Sequence, residues 1–247
     1  MDATLKDTFI QRWQTYFPGA ELPITFYYAD DLGDVALAEV TDNTQCFIAQ
    51  LAVVRRGESQ CFTVDTMVCP GAKKYVGFSQ TVMPNFEYFL SCGIPGKLEG
   101  ERYKKTPEMV KDLVEKAPEF VAPAPYIVFK RWDRLERDDD PEVVIFYAKP
   151  DALSGLFTLA GFDETDPSAV IAPFSAGCGS IVQHPYVQKD ADHPKGVLGM
   201  FDVSARPWVQ KDILTFAAPI ARFAQMVDNM PESFLITPSW DRVKRRL

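Results

Sequence analysis

One stretch in the second half of the chain, Glu142-Val143-Val144-Ile145-Phe146-Tyr147, constrains the fold more than any other. Successive side chains of a strand point to opposite faces of its sheet, so a strand with one wet face alternates apolar and polar residues. From Val143 to Tyr147 no position is charged, and both faces of this segment must be covered. That predicts a central strand with packed layers above and below it. A helix follows from Pro150 to Phe162: Pro150 suits the first helical position, Leu153, Leu156, Phe157 and Ala160 line one side, and Gly161 stands at its end.

The rest of the chain supplies the layers. Leu5 to Phe17 carries Leu5, Phe9, Ile10, Trp13 and Phe17 at helical spacing, ended by Pro18-Gly19. Leu22 to Tyr28 reads as a strand. Thr44 to Gly57, Cys61 to Val64 and the segment opening at Pro70 read as helix, strand, helix, with Asn43 or Thr44 as the cap of the first. Asn85 to Cys92 and Thr106 onward predict two more helices. Tyr126 to Phe129, Val170 to Phe174, Gly196 to Phe201 and Ile213 to Ala217 predict strands. Helices at Pro219 to Val227 and Trp240 to Leu247 close the chain. Strands and helices mix without regular alternation, so the expected class is α/β (or α+β), a mixed β-sheet flanked by helices. Pro118, Pro123 and Pro125 form an irregular linker. It divides one domain of 247 residues into subdomains of about 1–122 and 123–247, expected to meet around a central pocket.

The cysteines carry the chemical information. Cys46 and Cys69 fall in the first turns of predicted helices, and Cys178, between Gly177 and Gly179, precedes a third run, Ser180 to His184. A helix N-terminus offers free N–H groups and partial positive charge, which lower a thiol's pKa and favour the thiolate. Three such thiols suggest a thiolate site. Cys61 lies in a strand and Cys92 near a turn. Five cysteines, an odd number, without a predicted secretion signal do not read as a disulfide framework, and the expected compartment is the cytoplasm.

The net charge of −8 argues against nucleic acid and anionic membrane surfaces, which need a basic footprint. The basic cluster Arg242, Lys244, Arg245, Arg246 reads as a solvated tail. No apolar run is long enough to span a membrane. Partners are therefore expected to be a small molecule or a redox protein, together with further copies of the chain as a homo-oligomer.

The order of several motifs resembles the uncharacterised prokaryotic family catalogued as domain of unknown function 169. They are Cys46 with Ala49, Arg55 or Arg56 and Gly57; Cys69-Pro70-Gly71-Ala72 with Gly77; Glu142 to Pro150 followed by Asp151-Ala152-Leu153; and Cys178 with Pro185-Tyr186. Together they span roughly Thr44 to Phe234. The resemblance implies a shared fold and a cytoplasmic context, and it picks out Cys46, Cys69 and Cys178 over Cys61 and Cys92. The chain departs from the family near its C-terminus. Arg206-Pro207-Trp208-Val209-Gln210-Lys211-Asp212 stands where acidic residues are expected before the last strand.

Three readings of the thiols compete. In the first, Cys46, Cys69 and Cys178 ligate an iron–sulfur cluster (4Fe-4S) or another soft metal. Three protein ligands leave one iron open to a small molecule. No compact C-x-x-C spacing supports it, and buried free cysteines are commonly core residues. In the second, Cys178 is a nucleophile with His184 as base, although six residues along a helix separate the two faces. In the third, the protein is a non-catalytic binding module with inert cysteines. Other polar clusters are weaker. Asp138-Asp139-Asp140 lacks the alternation and glycine of a calcium loop and reads as a solvated loop. His193 lies in the polar turn segment Asp190 to Lys195. Lys73 and Lys74 could balance an anionic cluster or nearby acids. The glycines form no nucleotide-binding pattern.

Overall fold

The computed structural model describes residues 2–40 and 46–247. In chain order the elements are α1 (Ala3–Tyr16), β1 (Ile24–Ala29), α2 (Phe47–Arg55), β2 (Gln60–Phe62), α3 (Pro70–Tyr75), α4 (Phe86–Phe89), α5 (Pro107–Lys116), β3 (Tyr126–Arg131), β4 (Val143–Ala148), α6 (Pro150–Leu159), β5 (Val170–Ile171), α7 (His184–Val187), β6 (Gly196–Gly199), β7 (Leu214–Pro219), α8 (Ile220–Asn229) and α9 (Pro238–Lys244). The run after Cys178 is a π-helical turn, Gly179–Gln183, that leads into α7. The capping expected of Asn43 or Thr44 lies outside the described residues; within them, Cys46 is the residue that caps α2.

The strands form one sheet in the order β2-β3-β1-β4-β7-β6-β5. Every pairing is antiparallel except β5 with β6, so the sheet is mixed and the α/β class holds. The all-apolar segment is the middle strand, β4, and each of its residues is buried. Its neighbour β1 pairs on one edge with β4 and on the other with β3, so strands from both sides of the proline-rich segment interleave in the same sheet.

Alternate residues of β4 feed two separate cores. Val144, Phe146 and Ala148 face a layer made by α1, α6, α8 and α9, where Phe9, Trp13, Phe17, Phe223 and Trp240 pack. The rings meet directly, with centroids 4.2 Å apart for Trp13 and Phe17 and 4.9 Å for Phe9 and Phe223. Gly155 in α6 makes room for two of them, since a Cβ there would stand 2.5 Å from Trp240 and 2.7 Å from Phe17. Val143, Ile145 and Tyr147 face the other layer, built from α2, α3 and the π-helical turn, with Phe47, Ile48, Leu51, Ala72, Ile181 and Val182. Cys178 is buried in this second core, and Cys46 and Cys69 pack against it. No helix among the described residues is long and apolar enough to cross a membrane.

Candidate thiolate site

Each of the three predicted thiols stands at the start of a helical segment on the second face. Cys46 is the cap of α2, with extended backbone (φ −125°, ψ 127°), and its carbonyl accepts the Ala49 N–H at 3.0 Å. Cys69 caps α3, with Pro70 in the first turn, and its carbonyl accepts the Lys73 N–H at 3.1 Å. Cys178 leads into the π-helical turn.

Two glycines bring these segments together. A Cβ on Gly177 would stand 2.8 Å from Ala205 Cβ and 3.4 Å from Ile48 Cγ1 of α2. A Cβ on Gly179 would stand 2.1 Å from Ser175 Oγ and 2.8 Å from Tyr75 Cδ1 of α3. The glycines flanking Cys178 therefore admit the two helices that Cys46 and Cys69 begin, and that is a stronger constraint than an opening for substrate. Asp202 holds the same loop from its other side. Its carboxylate accepts the Gly177 N–H at 3.0 Å, the Ser204 N–H at 3.0 Å and the Ser204 hydroxyl at 2.8 Å. Ser180 completes the anchor, donating to Gly177 O at 2.7 Å and accepting the Met200 N–H at 3.2 Å.

The thiols are close enough to sense one another. Burial raises the pKa of Cys178 well above the ordinary thiol value, and negative charge on Cys69, Cys46 and Asp202 raises it further. Burial likewise raises the pKa of Cys46, with Cys69 and Asp202 adding to it. The Ile48 and Ala49 N–H groups pull it down without reaching capping hydrogen-bond geometry. The expectation of lowered thiol pKa values is thus reversed at Cys46 and Cys178. The helix N–H groups act in the expected direction, but desolvation and like charge outweigh them. In the protein as it stands these two thiols are neutral at pH 7.

The remaining sequence candidates separate from this cluster. Cys61 is fully buried in the sheet, and burial pushes its pKa up to about 11. Cys92 is exposed. Burial lowers the pKa of His184, and no hydrogen bond joins it to Cys178 among the described residues. Burial of Cys178 works against a ready thiolate there. His193 is exposed on a surface cavity of about 160 Å³ beside Glu164, Asp166 and Lys195. A wider cavity of about 470 Å³ lies along Cys92 to Arg102. Neither is lined by Cys46, Cys69 or Cys178, which pack on one core. Asp139 corrects the reading of its loop as solvated: it is buried, 2.9 Å from Lys130 and hydrogen-bonded by the Tyr27 hydroxyl. The unexpected Arg206 clamps its own loop, its guanidinium donating to the carbonyls of Ile213, Gln210 and Lys211.

Two neighbours of the thiols escaped sequence reasoning. Asp202 follows a predicted strand with no motif to mark it. Tyr147 ends the central strand and looks like one more core residue. It is 4% exposed, and its hydroxyl has no hydrogen-bond partner among the described residues. The Arg55 guanidinium lies 4.3 Å over its ring, and Arg55 is itself held by a two-point ion pair with Glu21 at 2.7 and 2.9 Å.

Among the described residues, no three His, Cys, Asp or Glu side chains stand close enough to hold a metal ion.

The family model of the domain of unknown function 169, described as "Uncharacterised ArCR", matches residues 20–229. The chain belongs to this family. No curated protein and no solved structure matches it. The matched DUF169 region contains Cys46, Cys69, Cys178, Asp202 and Tyr147, and it leaves out all of α1 and all of α9.

Proposed function

We propose that this DUF169 protein holds an iron–sulfur cluster on the thiolates of Cys46, Cys69 and Cys178, in a reducing cytoplasm. The single observation that supports the reading is that three thiols separated by 22 and 108 further residues of chain, each at the start of a helical segment, pack on one core and act electrostatically on one another. When bound, such a cluster supplies one-electron transfer, and with three cysteine ligands it leaves one iron open to a small molecule. The chain's contribution is to orient the ligands. Gly177 and Gly179 fix the approach of the two helices, Asp202 and Ser180 pin the Cys178 loop, and the α2 N–H groups face the Cys46 sulfur.

The raised thiol pKa values give the site a signed pH dependence. Folding of the empty protein favours the neutral thiols of Cys46 and Cys178. Their contribution to stability is complete below the ordinary thiol range and is lost as pH rises through the raised folded values. Cluster ligation requires the thiolates, releases protons and strengthens over the same rise. Alkaline pH should thus destabilise the empty protein more than the loaded one, as thermal melts of both across pH 7 to 10 would reveal.

The direct test is purification without oxygen followed by iron and acid-labile sulfide analysis and a visible spectrum. Iron and sulfide in similar amounts with broad visible absorbance, lost in Cys69→Ser and kept in Cys92→Ser, is the expected result. A colourless, metal-free protein after attempted reconstitution would refute the proposal.

A further inference from the structure

One end of the sheet gathers exposed apolar side chains and unpaired cations. β4 finishes beside the start of β7, with Ala148 opposite Leu214, and β6 finishes there too, with Gly199 opposite Thr215. The loop 200–213 that joins β6 to β7 therefore lies at this end. It presents Phe201, Val203 and Trp208, which are 55%, 68% and 43% exposed. Apolar side chains gathered on a surface mark a place that something covers. The Arg206 guanidinium grips the carbonyls of Ile213, Gln210 and Lys211, so the loop that carries them is held in shape. Phe174, on the segment after β5, is exposed as well, with Lys104 Nζ 3.8 Å over its ring.

Cations border that loop. Lys149, at the start of α6, lies 3.8 Å from Asp212, and two residues further on Asp151 pairs with Arg246 at 3.0 Å. Trp240 to Leu247 hold four basic residues and one acid. This segment is no loose tail, because Trp240 is buried in the aromatic core and fixes it beside the sheet end. Lys211 and Arg245 are exposed and form no ion pair among the described residues. Exposed acids stand at the opposite end: Asp30, Asp31 and Asp34 follow β1, and Asp190 and Asp192 precede β6. The six residues of β4 separate the two ends by about 20 Å. That is more than twice the screening length of about 8 Å at physiological salt. The net charge of −8 therefore does not describe the basic end.

We propose that this end of the sheet is a docking surface for an anionic lipid bilayer. Cations against the headgroups, with apolar side chains entering between them, is how a protein lies on a membrane without spanning it. A nucleic acid would match the cations through its phosphates and leave Phe201 and Val203 in water; a bilayer takes up both. Asp202, between those two residues, holds the Gly177 N–H, so the surface borders the Cys178 loop whatever the thiols bind.

The test mixes the full chain with vesicles of phosphatidylcholine alone and of phosphatidylcholine with phosphatidylglycerol. Co-sedimentation and tryptophan emission report binding. Trp208 is exposed and the other three tryptophans are buried, so an emission shift reports this loop. The expected result is binding to the anionic vesicles, with a blue shift, that weakens as salt is raised. Lys211→Gln with Arg245→Gln should weaken it about 25-fold, at about fivefold for each cation near an anionic surface. Phe201→Ser should weaken it about tenfold through lost apolar burial. Phe162→Ser is the control and should bind as wild type. It removes an exposed ring at the other end, where the start of α8 meets Ala160 O through Arg222. All four positions are exposed, so urea midpoints should match wild type. A protein that ignores anionic vesicles would overturn the proposal. Unchanged binding in the double variant or in Phe201→Ser would overturn it too. Binding to an RNA duplex through Lys211 and Arg245, with none to vesicles, would overturn it in favour of a nucleic-acid surface.

Discussion

Phe146 and Tyr147 are adjacent in sequence and point into two different proteins, in effect. On the Phe146 side, long helices meet the sheet through interlocked aromatic rings, and α1 alone is 14 residues long. On the Tyr147 side the covering elements are short: nine residues in α2, six in α3, five in the π-helical turn. That face also holds the three thiols and, among the described residues, hydroxyls without partners. An unpaired buried polar group costs about 1–3 kcal/mol. The chain thus seals one face with rings and leaves its unpaired buried hydroxyls, among the described residues, on the other, and we expect that division to separate packing from the proposed site across the two sides of one strand.

The largest expected effect tests that separation from the aromatic side. Phe146→Ala should cost about 3–5 kcal/mol, the range for emptying a fully buried aromatic position, measured by urea unfolding. The relative alkylation rates of Cys46, Cys69 and Cys92 in the native state should be unchanged. If those rates shifted along with stability, the two faces would be coupled and the division of roles would fail.

A matched pair of glycines gives a smaller effect and a sharper contrast. Gly155→Ala sits in a helix, where alanine normally gains up to about 1 kcal/mol. Here the new Cβ would meet Trp240 at 2.5 Å and Phe17 at 2.7 Å, so the net change should be a loss of about 1–3 kcal/mol from overpacking. Gly179→Ala should lose a similar amount, because its Cβ would meet Ser175 Oγ at 2.1 Å and the Tyr75 ring at 2.8 Å. Only the second should disturb the thiols, seen as faster alkylation of Cys178 and reduced cluster uptake. Equal effects of both on thiol reactivity would show that the glycines around Cys178 do not set the convergence.

Much of the fold was legible in the chain. Val143 to Tyr147 announced a strand covered on both faces, and it is the middle strand of the sheet. Phe9, Trp13 and Phe17 announced one face of α1, and they form the aromatic layer. Strand order was not legible, because β1 reaches both β3 and β4 across long stretches of chain, and no local signal encodes that pairing. The helix start at Cys69 could be read from Pro70, and the one near Cys46 only to within a turn, with Asn43 or Thr44 expected as its cap, but the charge state of the thiols could not. It depends on burial and on the other thiols, which only the assembled fold brings near. Tyr147 was invisible for a related reason: in sequence it completes an apolar run, and only the absence of a partner distinguishes it.

The smallest effect bears on the comparison most directly, through two threonines buried to the same degree. Both Thr25 and Thr215 are 0% exposed. Thr25 lies between Ile24 and Phe26 of the thiol-face core, so it points to the aromatic side, and its hydroxyl donates to Val143 O at 2.6 Å. Thr215 alternates with Phe216 of the aromatic core, so it points to the thiol side, and its hydroxyl has no partner among the described residues. Replacing a bonded hydroxyl by a methyl group loses about 1 kcal/mol, whereas replacing an orphan removes a desolvation cost. Thr25→Val should therefore lower the stability of the empty protein by about 1 kcal/mol, and Thr215→Val should leave it equal or raise it by up to about 1 kcal/mol. Urea midpoints at constant slope decide the signs. Two losses of the same size would mean that Thr215 has a partner in solution, such as a fixed water, and that the thiol face is as well satisfied as the aromatic one.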